Sequence, residues 1–121
     1  MKSLFPFEEY REGQNSFMKV INTALSNKKD ILAQIPTGVG KTAAVLTKCL
    51  EYSLQNNKQI IFLTSKHTQH RIAIDTLRKI KEKHGIKINV ADFIGKSWFI
   101  NFKIPKNYKK YLVDVFKRLP N

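Results

Sequence analysis

Gly38, Gly40, Lys41 and Thr42 stand close together in the stretch AQIPTGVGKTAAVL, residues 33 to 46. These residue types in this order have a definite chemical use. Glycine allows backbone turns that other residues resist, so successive N–H groups can point into one concavity. If a helix starts directly afterwards, its N-terminal partial positive charge faces the same way. A lysine at that point adds a full charge that reaches the β- and γ-phosphates of a triphosphate, and the neighbouring threonine hydroxyl can ligate Mg²⁺.

Such a loop needs an element on either side to hold it. The apolar run ILAQI, residues 31–35, ends at Pro36 as a buried strand would. From Lys41 to Gln55, Val45, Leu46, Cys49, Leu50 and Leu54 recur at helical spacing. Strand, loop and helix is the context of a P-loop. Thr37 and Val39 then complete its wall, and Lys41 and Thr42 carry its chemistry. Ile35 stands where the strict P-loop pattern has its first glycine. That position begins the turn, whereas the two glycines nearest the lysine approach the phosphates.

The rest of the chain continues the alternation. Phe17, Val20, Ile21, Ala24 and Leu25 mark a helix that ends at SNKKD. QIIFLTS (59–65) reads as a buried strand, and HTQHRIAIDTLRKIKEKH as a helix with Ile74, Leu77 and Ile80 inward, a basic outer face and Gly85 as its C-cap. His70 and His84 read as surface residues of that helix. IKINV (86–90) alternates as a third strand, and Ile100, Phe102 and Ile104 as a fourth strand or hairpin arm. Tyr108, Tyr111, Leu112, Val115, Phe116 and Leu119 outline a C-terminal amphipathic helix. Strand–helix alternation of this kind indicates an α/β domain with a mostly parallel sheet flanked by helices.

Composition narrows the partners. Lysine and arginine number 22 against 9 aspartate and glutamate, a net charge of +13. That excess suits a polyanion such as nucleic acid, although solvated lysines of a biased composition would give the same total. The single cysteine, Cys49, excludes an internal disulfide and any multi-cysteine metal site within these residues. No apolar run approaches the roughly 20 residues of a membrane span. Pro6, Glu8 and Glu9 break the N-terminal apolar stretch. We expect an intracellular chain with no membrane contact.

PTGVGKT after an apolar strand resembles motif I of superfamily 2 helicases. FPFEEYREGQNSF (5–17) resembles the segment ahead of motif I in the XPD-like, iron–sulfur type DNA helicases. The resemblance implies a RecA-like P-loop domain in three layers, incomplete here. That domain would comprise an adenine-side segment and helix at 1–30, a βαβαβ core at 31–95, and a strand and helix extension at 96–121, while the resemblance itself runs from roughly residue 4 to 100. It also implies ATP and Mg²⁺ as ligands. Arg11 and Gln14 match an R-x-x-Q pair beside the adenine, and an amide can both donate to and accept from an adenine edge. Thr64, Ser65, Lys66 and His67 match motif Ia, which lines the single-stranded DNA path, with the basic residue displaced by one position from the family's usual arginine.

Some of the family's parts do not appear in the sequence. VADFIGKSW (90–98) resembles the segment before the iron–sulfur insertion, but Ile100 stands where the first cluster cysteine belongs, so no iron–sulfur cluster is expected within this chain. Trp98 and Phe99 are candidates to stack on bases, with burial as the alternative. No acidic DEAH-like pair follows, and no second RecA-like domain supplies arginines. The resemblance thus implies the ATP-binding portion of an ATP-dependent DNA helicase, acting with the remaining helicase domains or a partner subunit. Two alternatives stay open: a stand-alone nucleotide- or DNA-binding module, and a P-loop kinase. The kinase would leave Arg11, Gln14 and the positive charge without a role.

Overall fold

The computed structural model describes residues 2–92 of the 121. Residues up to Ile88 form one compact unit, and Asn89–Asp92 belong to a second. Three helices organise the first unit: α1 (Gln14–Ser26), α2 (Lys41–Asn56) and α3 (His67–His84). The expected fourth strand, the C-terminal helix, Trp98 and Phe99 all lie outside the described residues.

Each helix forms where its apolar spacing allows burial along one stripe. On α1, Met18 and Ile21 are buried while Phe17 and Leu25 pack beside them. Gly13 precedes α1 with φ 76°, a left-handed entry that suits glycine. α2 buries Ala43, Ala44, Leu46, Thr47 and Leu50, and it ends at Asn57, also left-handed at φ 51°. α3 buries Ala73, Thr76 and Ile80. It stops at the expected C-cap: Gly85 has φ 60° and its N–H donates to the Lys81 carbonyl at 2.9 Å. Lys81, Lys83 and His84 crowd the last turn, where the helix dipole favours cations.

α1 packs on α2, and α2 on α3. Ala43 and Ala44 let α1 come close, and Phe5, Met18 and Ile21 fill the seam around them. A second cluster joins Leu4, Leu50 and Ile80, with Leu77, Ile86 and Ile88 against it. The segment before α1 therefore enters both cores, through Leu4 in one and Phe5 in the other. Polar anchors hold it there. The Leu4 N–H donates to Glu51 Oε1 at 2.9 Å, His84 Nε2 lies 2.9 Å from the Phe5 carbonyl, and Lys83 Nζ donates to the Phe7 carbonyl at 2.8 Å. His84 is thus a half-buried anchor of the N-terminal segment, not the plain surface residue expected from the sequence.

The expected sheet is not seen among the described residues. Among the described residues there is no β-strand, and 31–35, 59–65 and 86–90 carry no regular hydrogen-bonded structure. The reason is physical. A helix closes its hydrogen bonds within its own sequence, whereas a strand exists only through a ladder to a neighbour. Without that ladder apolar side chains of the first two runs stand in solvent: Leu32 is fully exposed, Ile61 83% exposed and Leu63 87%, whereas Ile86 and Ile88 of the third pack against the second cluster. None of the described helices is long and apolar enough to cross a membrane.

The packing makes two predictions. Leu46→Ala should destabilise the chain by about 2–5 kcal/mol in a denaturant titration, because Leu46 is almost fully buried on α2 and its loss leaves a cavity. Cys49 is half-buried, and burial pushes its thiol pKa up. It should therefore alkylate slowly with iodoacetamide near pH 8 in the native chain and rapidly once urea has unfolded it.

Candidate nucleotide-binding site

The loop ahead of α2 has the backbone that its sequence requires. Gly38 has φ 88° and Gly40 φ 77°, both in the left-handed region that other residues resist. Gly40 is the N-cap of α2, so the helix starts on the residue after it, Lys41, with Thr42 next. The Gly40 carbonyl accepts the first intrahelical bond from the Ala44 N–H at 3.2 Å. The amides of Lys41 and Thr42 then emerge at the helix N-terminus, where an anion is stabilised by both the N–H groups and the dipole. No side chain caps this end, and no acidic residue stands in the first turn to compete with an anion.

Lys41 is exposed, and its Nζ reaches back to the Ile35 carbonyl at 3.4 Å, a long bond that a phosphate oxygen would outcompete. Space beside Gly38 is open, with nothing within 4 Å of where a Cβ would lie. The donor set and the open loop fit a Mg²⁺-bound triphosphate: N–H groups and Lys41 for the phosphates, the Thr42 hydroxyl for the ion. Among the described residues no group of three or more histidine, cysteine or carboxylate side chains comes together to hold a metal on its own. A metal at this loop would depend on the nucleotide for most of its ligands.

Arg11 and Gln14 meet the loop directly. Gln14 is buried, only 1% exposed, and its Nε2 donates to the Gly40 carbonyl at 2.9 Å. Its Oε1 accepts from the Arg11 backbone N–H at 3.0 Å. Arg11 Nη1 donates to the Gly38 carbonyl at 2.9 Å. The structure therefore brings together Arg11, Gln14, Gly38, Gly40 and Lys41, which lie up to 30 positions apart in the chain. Thr64, Ser65, Lys66 and His67 stand elsewhere, at the turn into α3: Thr64 is half-buried, the other three are exposed, and Lys66 is the N-cap in an extended conformation.

One feature of the site could not be seen in the sequence. A Cβ on Gly40 would lie 2.5 Å from Gln14 Nε2, closer than real atoms approach. Gly40 is thus glycine for two reasons, its backbone angle and the amide packed against it. Only the first is signalled by the Gly-Lys-Thr pattern. Gly38→Ala should cost about 1–2 kcal/mol, the penalty of a left-handed backbone with a Cβ. Gly40→Ala should cost clearly more, since it also displaces Gln14. Urea unfolding of the two variants checks the order.

The DEAD/DEAH box helicase family model matches residues 14–113. A probable ATP-dependent helicase of Methanocaldococcus jannaschii is 34% identical over 100 residues, 83% of this chain and 15% of that protein. The 3'-5' exonuclease DinG of Bacillus subtilis is 26% identical over 101 residues, 83% of this chain and 11% of its own length. A regulator of telomere elongation helicase 1 homolog of Anopheles gambiae is 34% identical over 89 residues, covering 73% of this chain and 8% of that one. No solved structure matches the chain significantly. The chain spans less than a sixth of the length of each of these relatives. The match from Gln14 to Val113 includes the whole glycine loop and α2, and on that match the chain belongs to the DEAD/DEAH box helicase family.

Proposed function

We propose that the chain is the ATP-binding part of an ATP-dependent DNA helicase of the XPD-like type, built on a RecA-like P-loop domain. The observation that carries this reading is the left-handed Gly38–Gly40 turn delivering Lys41 and Thr42 onto the first turn of α2, in a member of the helicase family. Thr37, Gly38, Val39 and Gly40 wrap the phosphates. Lys41 neutralises the β- and γ-phosphates, Thr42 holds Mg²⁺, and Gln14 with Arg11 lies on the adenine side.

Thr64, Ser65, Lys66 and His67 form the DNA contact in this reading. Their position supports it: an exposed lysine at a helix start pairs with a backbone phosphate through charge and N–H groups together. Two relatives are named as helicases, one of them ATP-dependent; in this reading the parent activity is ATP-driven movement on DNA. The acidic pair that orients the attacking water and the arginines that stabilise the transferred phosphate come from segments other than these residues. Positioning and charge stabilisation supply most of the rate in phosphoryl transfer. The chain alone is therefore a binder of ATP and a poor hydrolase.

Calorimetry of ATP with Mg²⁺ against the wild-type chain and Lys41→Ala tests the phosphate site. Binding in the wild type that disappears in the variant is the expected result, and equal binding in both would sink the reading. For the DNA contact, affinity for a single strand should fall with salt, log K dropping about 0.7 per log unit of salt for each phosphate neutralised. Lys66→Ala should flatten that slope by about one such contact, and an unchanged slope would remove Lys66 from the interface.

A further inference from the structure

Arg11 and Gln14 already have partners, and those partners are the phosphate loop itself. We propose that they are positioning residues for the triphosphate. They hold the Gly38 and Gly40 carbonyls on the α1 side and thereby aim the Val39 and Lys41 N–H groups at the anion, whatever base the nucleotide carries. This rests on the reading of residues 37–42 as a triphosphate site.

The geometry follows from the peptide plane. In a trans peptide the carbonyl and the N–H of the next residue point in opposite directions, and no described peptide is cis. The Gly38 carbonyl is held by Arg11 Nη1 at 2.9 Å, so the Val39 N–H points away from Arg11. The Gly40 carbonyl is held twice, by Gln14 Nε2 at 2.9 Å and by the Ala44 N–H at 3.2 Å, so the Lys41 N–H points out of the N-terminus of α2. Holding these planes matters because glycine resists peptide rotation least of all residues. A rotated plane would turn a carbonyl oxygen toward the phosphates and replace attraction with repulsion. A guanidinium-to-carbonyl bond is charge-assisted, which suits Arg11 to the exposed end of the loop.

Gln14 closes the arrangement into a ring. Its Oε1 takes the Arg11 N–H at 3.0 Å, and its own N–H bonds to the Arg11 carbonyl at 3.0 Å, so the backbone that aims the arginine is fixed by the same residue that fixes Gly40. The site where a Gly40 Cβ would lie, 2.5 Å from Gln14 Nε2, is the steric counterpart of that bond. Residues that only read adenine would act on the base and leave the loop alone.

The test compares ATP, GTP and inorganic tripolyphosphate, each with Mg²⁺, by calorimetry on the 121-residue chain and on Arg11→Met, Arg11→Lys and Gln14→Met. The Arg11→Met and Gln14→Met variants are expected to weaken all three ligands by a similar factor, about three- to tenfold, the usual worth of one or two such bonds. Arg11→Lys should recover most of the loss, because it keeps a cationic donor for the Gly38 carbonyl. Loss confined to ATP would overturn the inference and leave the pair as adenine readers. Unchanged tripolyphosphate affinity would overturn it too. A wild-type chain that binds none of the three ligands would instead bring down the triphosphate reading, and the inference with it.

Stability without ligand gives a second arm. The cost of Gly40→Ala should shrink in a Gln14→Ala background, where the clash is gone. Strictly additive costs would show that the amide does not hold the loop.

Discussion

The contact between the Gln14 carboxamide and the Gly40 carbonyl is the constraint on which the described unit turns. Gly40 is at once the end of the loop, the N-cap of α2 and the residue whose missing Cβ makes room for Gln14. Gln14 is at once the first residue of α1 and a buried amide whose two polar atoms are both engaged. A buried amide left without partners costs more than the bond contributes when made, so the two helix starts are pinned to one point. From that point α1 and α2 diverge with Met18 and Ile21 against Ala43 and Ala44. The loop geometry and the first core are therefore one structural fact seen from two sides.

The N-terminal segment transmits that constraint to α3. Phe5 belongs to the α1–α2 core and Leu4 to the α2–α3 core, so two adjacent residues join clusters that otherwise share only α2. Phe5 also meets Tyr10 at 4.5 Å and Phe7 edge-on at 5.7 Å, while Lys79 sits 5.1 Å over the Phe7 ring. Tyr10 adjoins Arg11. Aromatic packing of this kind adds to simple area burial and fixes ring orientation. The chain running into Arg11 is thus braced by α3, and the arginine that holds Gly38 inherits that rigidity. The pair of Lys83 with Glu8, at 3.2 Å and largely exposed, adds little by comparison.

What the sequence made legible follows from locality. α2, α3 and the Gly85 cap fall where the apolar spacing and the glycine placed them, because a helix satisfies its own backbone. The left-handed glycine loop and the helix starting on Lys41 were legible because a turn of this kind needs particular residues at fixed spacing. The strands were not, since their existence depends on partners distant in sequence, and apolar runs such as ILAQI and QIIFLTS encode burial without saying against what. Arg11 and Gln14 stood out as a spaced pair, but the spacing carried no sign that they reach 27 and 26 residues forward, respectively, to the carbonyls of the loop. His84 gave no signal either, because its partner, the Phe5 carbonyl, lies 79 residues back.

The electrostatic design can be judged by asking which helix starts could accept an anion. None of the three has a side-chain cap or an acidic residue in its first turn, so absence of capping alone does not single out α2. What separates them is the residue before each helix and what surrounds it. α1 begins at a buried glutamine committed to the loop, so its end is already occupied. α3 begins beyond an extended Lys66, whose flexible charge suits a phosphate held at the surface rather than wrapped by backbone. Only α2 combines two left-handed glycines, open space beside one of them, and a lysine on the first helical residue. Backbone donors aimed by glycine turns cost nothing to reorganise when the anion arrives, whereas a long lysine must be immobilised. Under the proposed function, a wrapped triphosphate at α2 and a surface phosphate at α3 would be different solutions to the same charge problem, and the residues at each helix start suit the one proposed for it.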